Sequence, residues 1–499
     1  MKNQLLKTVL LSAALCSATS IHAHDFEAVN ENGVTIYYNI LSTTDKTCEV
    51  TFKGTSYQEF ENEYSGAVKI PETANYSSAS YKVTSIGNSA FEHCGGLTSV
   101  EMPHSVLTLG YSVFSGCSNL SSVEMSNSIT SIGGGAFTDC SKLSSVTLPN
   151  TLTSIGAASF SGSGLTSFTI PASVQSIGIN PLSNCANLTS IVVEESNPYF
   201  HSQNHCNAII EKSSNTLISG CKNTVIPNTV ITIGVNAFRC CQGLTAITIP
   251  NSVTTLLDGA FYDCEDLTAI EIPNSVKTMD MWVFGYCFSL ASVKMSNAVT
   301  SLRQSVFFRC TSLTSIEIPK SVTSIEALAL EGCSSLKSIT SYITDVFKTG
   351  QMAFRGCENA ILYVPKGLVE TYKTTKDWNI FNKIVENFEK TPMTLSCNSK
   401  GSIDVNGIFE FSNSVAQVDV KKNEDNTFIF TPEEGCRLEQ VSLNVFDISA
   451  MVKNNTLTTT LPENSTMIVT FARESADING DGYVDISDVV RLVNIILGQ

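Results

Sequence analysis

Near the C-terminus, the stretch ADINGDGYVDISD sets Asp477, Asn479, Asp481, Asp485 and Asp488 at positions 1, 3, 5, 9 and 12 of a loop, with Gly482 at position 6. Oxygen ligands at these spacings wrap a hard divalent cation; the glycine permits the sharp turn and the Tyr483 carbonyl supplies position 7. The pattern predicts a calcium site. Position 12 is aspartate, shorter by one methylene than the usual glutamate, so its reach and the expected affinity fall.

Other catalytic or ligating chemistry is sparse. His24, His93, His104, His201 and His205 fall in no nucleophile motif, and the chain carries no G-x-S-x-G, H-E-x-x-H or P-loop. An enzyme is not expected. His201, His205 and Cys206, with Cys221 beyond, offer zinc donors; a Cys206–Cys221 disulfide or simple burial are the alternatives.

The first residues, MKNQLLKTVLLSAALCSATSIHAHDF, combine a basic head (Lys2, Lys7), an apolar run from Val9 to Cys16 and small residues before Ala23. Residues 1–23 therefore read as a secretory signal, too short to be an anchor. Leu15 stands before Cys16 where a lipobox wants a small residue, so lipoprotein processing is not expected. The formal charge is −16, and −18 once Lys2 and Lys7 are removed. That surface repels polyanions, which argues against nucleic acid as a partner. No later run approaches the ~20 apolar residues of a membrane span. The expectation is an exported chain, secreted or held at the cell surface.

The elements that would position any site come from an internal repeat. Phe91, Phe114, Phe137 and Phe160 are 23 residues apart, and Phe238, Phe261, Phe284, Phe307 and Phe354 resume the series, with Leu182 and Leu330 in the same slot. A Val/Ile-x-x-Ile/Leu step precedes each, and L-x-x-I/V-x-I/M follows, as in Leu97–Val100–Met102. A period in the twenties with this core is the mark of a leucine-rich-repeat solenoid. A lone rung buries about five large apolar side chains, roughly 10 kcal/mol. Ordering its backbone costs on the order of 25–45 kcal/mol, so only a stack is stable. A cysteine recurs at 94, 117, 140, 185, 241, 264, 287, 310, 333 and 357. Stacking would place these residues within bridging range but with parallel Cα–Cβ bonds, which favours a ladder of buried thiols.

The unit resembles that of the BspA-type leucine-rich-repeat surface proteins of anaerobic bacteria, IPxSVTSIGxxAFxxCxxLTSI, over residues 81–388. The resemblance implies a solenoid of about 11 rungs of about 23 residues, with an insertion at 194–224, an N-terminal β cap at 24–80 (DFEAVNENGVTIYYNI) and a C-terminal cap at 361–388 (ILYVPKGLVETYK). Trp378 and Phe381 would cover the final rung. It also implies adhesion: a surface for a host or microbial surface protein.

The second, third and fifth letters of LxxLxL should face outward. They read Thr98/Ser99/Glu101, Ser121/Ser122/Glu124, Thr245/Ala246/Thr248 and Thr314/Ser315/Glu317, a small, hydroxylic, mildly acidic face. In contrast, Tyr262, Trp282, Tyr286, Phe288 and Phe308 fall just outside the buried Phe/Cys slots of adjacent copies and should lie close together. Exposed aromatic clusters are favoured contact points, although the rings could equally fold over their own loops.

Residues 389–473 carry period-two segments, QVDVKK, TFIFTP, TLTTTL and MIVTFA, which predict a small antiparallel β module acting as a spacer. Within 474–499, Val489, Leu492, Val493 and Ile496 share one face of a predicted helix after the calcium loop. Loop and helix resemble one half of a dockerin. The resemblance implies a cohesin-like partner read by Ile486 and Ser487, but a full dockerin has two such loops. The fold class is thus mainly β: a leucine-rich-repeat solenoid, a small antiparallel β domain and a C-terminal EF-hand-like loop and helix. The functional expectation is a non-enzymatic binding protein, with a non-catalytic role in a cohesin–dockerin, polysaccharide-degrading assembly as the alternative.

Overall fold

The computed structural model describes residues 24–54, 62–387, 390–422, 424–461 and 464–473. They part into two compact units between Ile384 and Val385.

The first unit is the repeat array. Most copies contribute a two-residue strand at the Val-x-x-Ile step and a longer strand at the LxxLxL step; residues 143–148 and 244–249 run without a regular strand. The short strands Thr108–Leu109, Ser131–Ile132, Ser154–Ile155 and Ser176–Ile177 run parallel, with Leu109 beside Ile132 and Ile132 beside Ile155. The longer strands pair the same way, Val100 beside Val123 and Ile316 beside Ile339. Along Leu97–Glu101 and the next residue, Leu97, Val100 and Met102 are buried while Thr98 and Glu101 are exposed, the alternation a half-buried strand demands.

Between the two strands of each copy lies the turn that carries Phe and Cys. The phenylalanines form two stacked columns, Phe91 to Phe160 and Phe238 to Phe307, with ring centroids 5.1–5.2 Å apart in the first and 5.0–5.5 Å in the second. Burial of such a ring contributes about 1.5–3 kcal/mol, and ring pairing adds about 0.5–1.5 kcal/mol. The cysteines among the described residues are all free, and the slot has a second use. Cys117 Sγ donates to the Phe91 carbonyl at 3.0 Å, Cys287 to that of Phe261 at 3.2 Å and Cys310 to that of Phe284 at 3.1 Å. The thiol fills a small apolar gap and supplies a weak donor to a carbonyl of the preceding rung. In the fourth copy Ser163, buried, stands in this slot.

Both ends of the columns are covered. At the N-terminal end, antiparallel strands Phe26–Val29, Thr35–Ser42 and Thr47–Thr51 lead into Ala79–Ile86, the first strand of the stack. Tyr64 lies over Phe91 at 4.5 Å and donates its hydroxyl to the Thr51 carbonyl at 3.0 Å. At the other end Trp378 and Phe381 pack on Phe354 at 4.8 and 5.3 Å, and Trp378 Nε1 donates to the Phe347 carbonyl at 2.9 Å. The insertion is more than a loop. Its strands Ala208–Glu211 and Thr216–Gly220 form a hairpin, and the second pairs in parallel with Thr232–Ile233, so it supplies the short strand of a missing copy.

The second unit is one sheet. Lys390–Val405 pairs with Phe409–Lys421, Asp425–Pro432 and Thr466–Arg473, and Cys436–Leu443 and Thr456–Thr460 extend it. All pairings are antiparallel except that of Thr466–Arg473 with Lys390–Val405. The period-two segments land on strands, with Phe428 and Phe430 buried and Ile429 exposed between them. Two further strands were not foreseen from the sequence: Lys390–Val405, which buries Met393, Leu395, Cys397, Ile403 and Val405 at period two, and Cys436–Leu443, which lacks a clean alternation.

Candidate partner-binding site

The turn that buries Phe and Cys bends too sharply for ordinary backbone angles, and each copy meets this with two residues at positive φ. Serine, glycine, alanine and asparagine hold the first position in most copies (Ser112, Gly135, Ala158, Asn236, Gly259, Ser305); Leu328 and Met352 hold it nearer the C-terminal end. Gly116, Asp139, Asp263 and Gly332 are typical of the second. A left-handed backbone costs an L-residue roughly 1–2 kcal/mol, which is why small and Asx residues gather there. The copy that buries Phe284 breaks the pattern. It places Trp282 at φ 61° and Tyr286 at φ 62°. Among the described turns, this one alone fills both positions with aromatic residues. The backbone still holds: Trp282 N–H donates to the Gln304 carbonyl at 3.0 Å and Tyr286 N–H to that of Phe308 at 2.7 Å.

The two side chains meet aromatics from the copies on either side. Tyr262 lies 5.9 Å from Trp282 and 5.4 Å from Tyr286; Phe308 lies 5.3 and 5.2 Å from the same rings; Phe288 joins at 5.8 Å from Tyr286. Most contacts are edge to face, while Trp282 and Tyr286 are near parallel at 6.2 Å. All five rings are half-buried. The sequence left open whether they would cluster outward or fold over their loops, and they do both at once.

Two arginines complete the cluster, and the sequence reading missed them. The Arg239 guanidinium lies over the Tyr262 ring at 4.4 Å, and that of Arg309 lies 5.4 and 5.9 Å from Phe308 and Tyr286. Neither is within ion-pair distance of a carboxylate among the described residues. The other two arginines of the solenoid are paired, Arg303 with Glu326 at 3.2 Å and Arg355 with Glu331 at 2.7 Å. The available signal was that both Arg239 and Arg309 stand within two positions of a repeat phenylalanine, beside the aromatic copies. Beside Arg239 a groove of about 260 Å³ is lined by Asn236, Asp258, Gly259, Tyr262 and Trp282. Burial raises the Tyr262 hydroxyl pKa, nearby Tyr286 adds to this, and Arg239 opposes it. Burial and then Asp263 push the Cys240 thiol up to about 11.

The long-strand face is polar, as its letters predict. Thr98, Glu101, Ser121, Glu124, Thr314 and Glu317 are exposed, and Lys294 pairs with Glu271 across two copies at 2.6 Å. A groove of about 690 Å³ opens on it where the insertion interrupts the stack, between Val225–Ile226 and Ala246–Ile249. Cys206 and Cys221 are buried, and among the described residues no three His, Cys, Asp or Glu side chains converge to hold a metal. The calcium-loop residues Asp477, Asn479, Asp481, Tyr483, Asp485 and Asp488, and with them Ile486 and Ser487, lie outside the described residues, as does the signal segment.

A model of the BspA type leucine rich repeat region matches the chain in six copies, over residues 72–189, 208–337 and 300–375, together more than half of its length. No curated protein matches it. Among solved structures, a leucine-rich repeat protein from Eubacterium ventriosum is similar at 23% identity over 64% of this chain and 92% of that one, with a TM-score of 0.52. The pneumococcal vaccine antigen PcpA is similar at 19% identity over 74% and 100%, TM-score 0.52. A leucine rich cell surface protein from Faecalibacterium prausnitzii is 23% identical over 70% and 98%, TM-score 0.47. The first two share the fold.

Proposed function

The chain belongs to the BspA-type leucine-rich repeat family, and from that premise we propose a secreted or cell-surface, non-enzymatic binding protein whose solenoid offers a surface to protein partners. Trp282 and Tyr286 carry this reading. Folding alone is served by a glycine or serine at the first position and by an aspartate or arginine at the second, as the neighbouring copies with Gly259/Asp263 and Ser305/Arg309 demonstrate. Side chains held at a conformational cost, half-exposed and in contact with three further rings, have a use outside the core. The family's association with adhesion and the leader at 1–23 agree with display outside the cell.

The test is an array of host-matrix and microbial surface proteins probed with the full chain and with a Tyr286→Ala/Phe308→Ala double variant. Retention of a ligand by the intact chain and its loss by the double variant, at unchanged melting temperature, support the reading. Equal retention by both removes the aromatic cluster from it.

The tail extends the proposal. Asp477, Asn479, Asp481, Asp485 and Asp488 side chains with the Tyr483 carbonyl would hold calcium, which would order residues that otherwise repel one another and provide a point of attachment. Calorimetric titration of the full chain with calcium, against Asp477→Ala/Asp481→Ala, should show one site lost in the variant; no heat in either discards the site. The half-dockerin motif favours a second reading, in which Ile486 and Ser487 contact a cohesin-like partner. A calcium-dependent pull-down with cohesin modules that returns nothing excludes that reading and leaves the first intact.

A further inference from the structure

We propose that the aromatic ridge takes an extended, acidic polypeptide segment in which two carboxylates flank an apolar side chain. This rests on the reading of Tyr262, Trp282, Tyr286 and Phe308 as a contact surface and assigns the chemistry of what they touch.

Three observations lead there. First, Arg239 and Arg309 are unpaired in a chain of net charge −16, where 46 acidic residues outnumber 30 basic ones. Their counterparts Arg303 and Arg355 each hold a glutamate. An arginine that holds none of the abundant internal carboxylates and lies on a ring retains N–H donors for a carboxylate brought by another molecule, even where, as at Arg239, one of them meets the neighbouring Cys240 thiol. Second, the guanidinium groups cover ring faces, Arg239 that of Tyr262 at 4.4 Å and Arg309 those of Phe308 and Tyr286. A sugar stacks on an open ring face; here those faces are taken and ring edges remain, which suits aliphatic or aromatic side chains. Third, the spacing is that of a polypeptide. Arg239 and Arg309 belong to copies three steps apart, about 14 Å at ~4.8 Å per step. In an extended chain residues i and i+4 are about 13 Å apart and point to the same side as i+2. Acid, apolar and acid at i, i+2 and i+4 would therefore set a carboxylate at each guanidinium and an apolar side chain on Trp282 and Tyr286 between them. Because the chain as a whole carries a net charge of −16, non-specific attraction of such a segment is weak, which favours the two arginines of this ridge.

The experiment is fluorescence anisotropy of the full chain with three labelled peptides of one length, carrying Glu-Ala-Trp-Ala-Glu, Lys-Ala-Trp-Ala-Lys or a scrambled order, beside an acidic oligosaccharide of galacturonate. The expected result is at least tenfold tighter binding of the acidic peptide than of the other two, weakening at least fivefold between 50 and 500 mM salt. Arg239→Gln and Arg309→Gln should each weaken it at least fivefold at unchanged melting temperature. Equal binding of the glutamate and lysine peptides, or tighter binding of the oligosaccharide, overturns the proposal. So does binding of the acidic peptide that is indifferent to both arginine variants. If no peptide binds while Tyr286→Ala/Phe308→Ala still abolishes capture on the protein array, the acidic segment is wrong and the contact surface stands; if that double variant also retains its array ligand, both fall.

Discussion

Trp282 holds two roles whose energies can be separated. Its backbone sits at φ 61°, which costs roughly 1–2 kcal/mol relative to glycine, while its half-buried ring gains contact with Tyr262 and Phe308. These terms oppose each other, so Trp282→Gly should change unfolding free energy by no more than about 1 kcal/mol. Phe284, two residues on and fully buried, has no such offset, and Phe284→Ala should cost about 3–5 kcal/mol. Urea denaturation of both variants measures the contrast. A Trp282→Gly loss as large as that of Phe284→Ala would mean that the tryptophan is ordinary core and that the ridge needs no external ligand to explain it. The residue scale is also where the sequence was least legible. The repeat alignment marks Trp282 and Tyr286 as out of place beside Gly259 and Asp263, yet it cannot give the sign of φ. The position of Arg239 over Tyr262 depends on side-chain directions that no period encodes.

At the scale of elements, periodicity carried most of the information. The Val-x-x-Ile and LxxLxL steps became the two parallel strand columns because a fixed register of side chains per copy leaves one way to stack them. The insertion resisted such a reading: its hairpin substitutes for a repeat strand while keeping only the Thr216–Leu217 pair of the repeat's letters, and pairing of Thr216 with Thr232 reveals the equivalence. The N-terminal cap carries a titration of its own. Burial pushes Glu63 from its ordinary value of 4.5 up to about 7, against a stabilising hydrogen bond from the Lys53 amide. Burial raises Glu49 in the same direction. An acid whose pKa is higher in the folded state favours folding while protonated; that contribution is complete below about pH 4.5 and disappears as pH rises through about 7. The cap should therefore melt at lower temperature at pH 8 than at pH 5, and Glu63→Gln should reduce that difference. Differential scanning calorimetry of both proteins at the two pH values decides it; an unchanged difference in Glu63→Gln assigns the effect to other groups.

For the molecule as a whole, a solenoid has no single centre, and stability passes between neighbouring copies. Each buried phenylalanine is protected only while the copies on both sides remain folded, so the end rings matter beyond their own contacts. Trp378 is fully buried against Phe354 at 4.8 Å and Tyr372 at 5.0 Å. Removing it exposes the end of the Phe354 core rather than opening a cavity in the middle. Trp378→Ala should therefore do more than subtract a few kcal/mol. Hydrogen exchange should accelerate most in Ile361–Val364 and Ser338–Ser341, less in Ser315–Ile318, and not at all in the N-terminal strands Thr35–Ser42 and Thr47–Thr51, because opening proceeds inward from the damaged end. A globular core would lose protection everywhere together. Uniform acceleration across the solenoid would contradict nearest-neighbour coupling and would require one cooperative unit from Phe26 to Ile384. A graded loss would also place the aromatic ridge, several copies inward from Trp378, in the part of the array that stays folded when its end frays, where a surface that must hold a fixed spacing between two guanidinium groups is best kept.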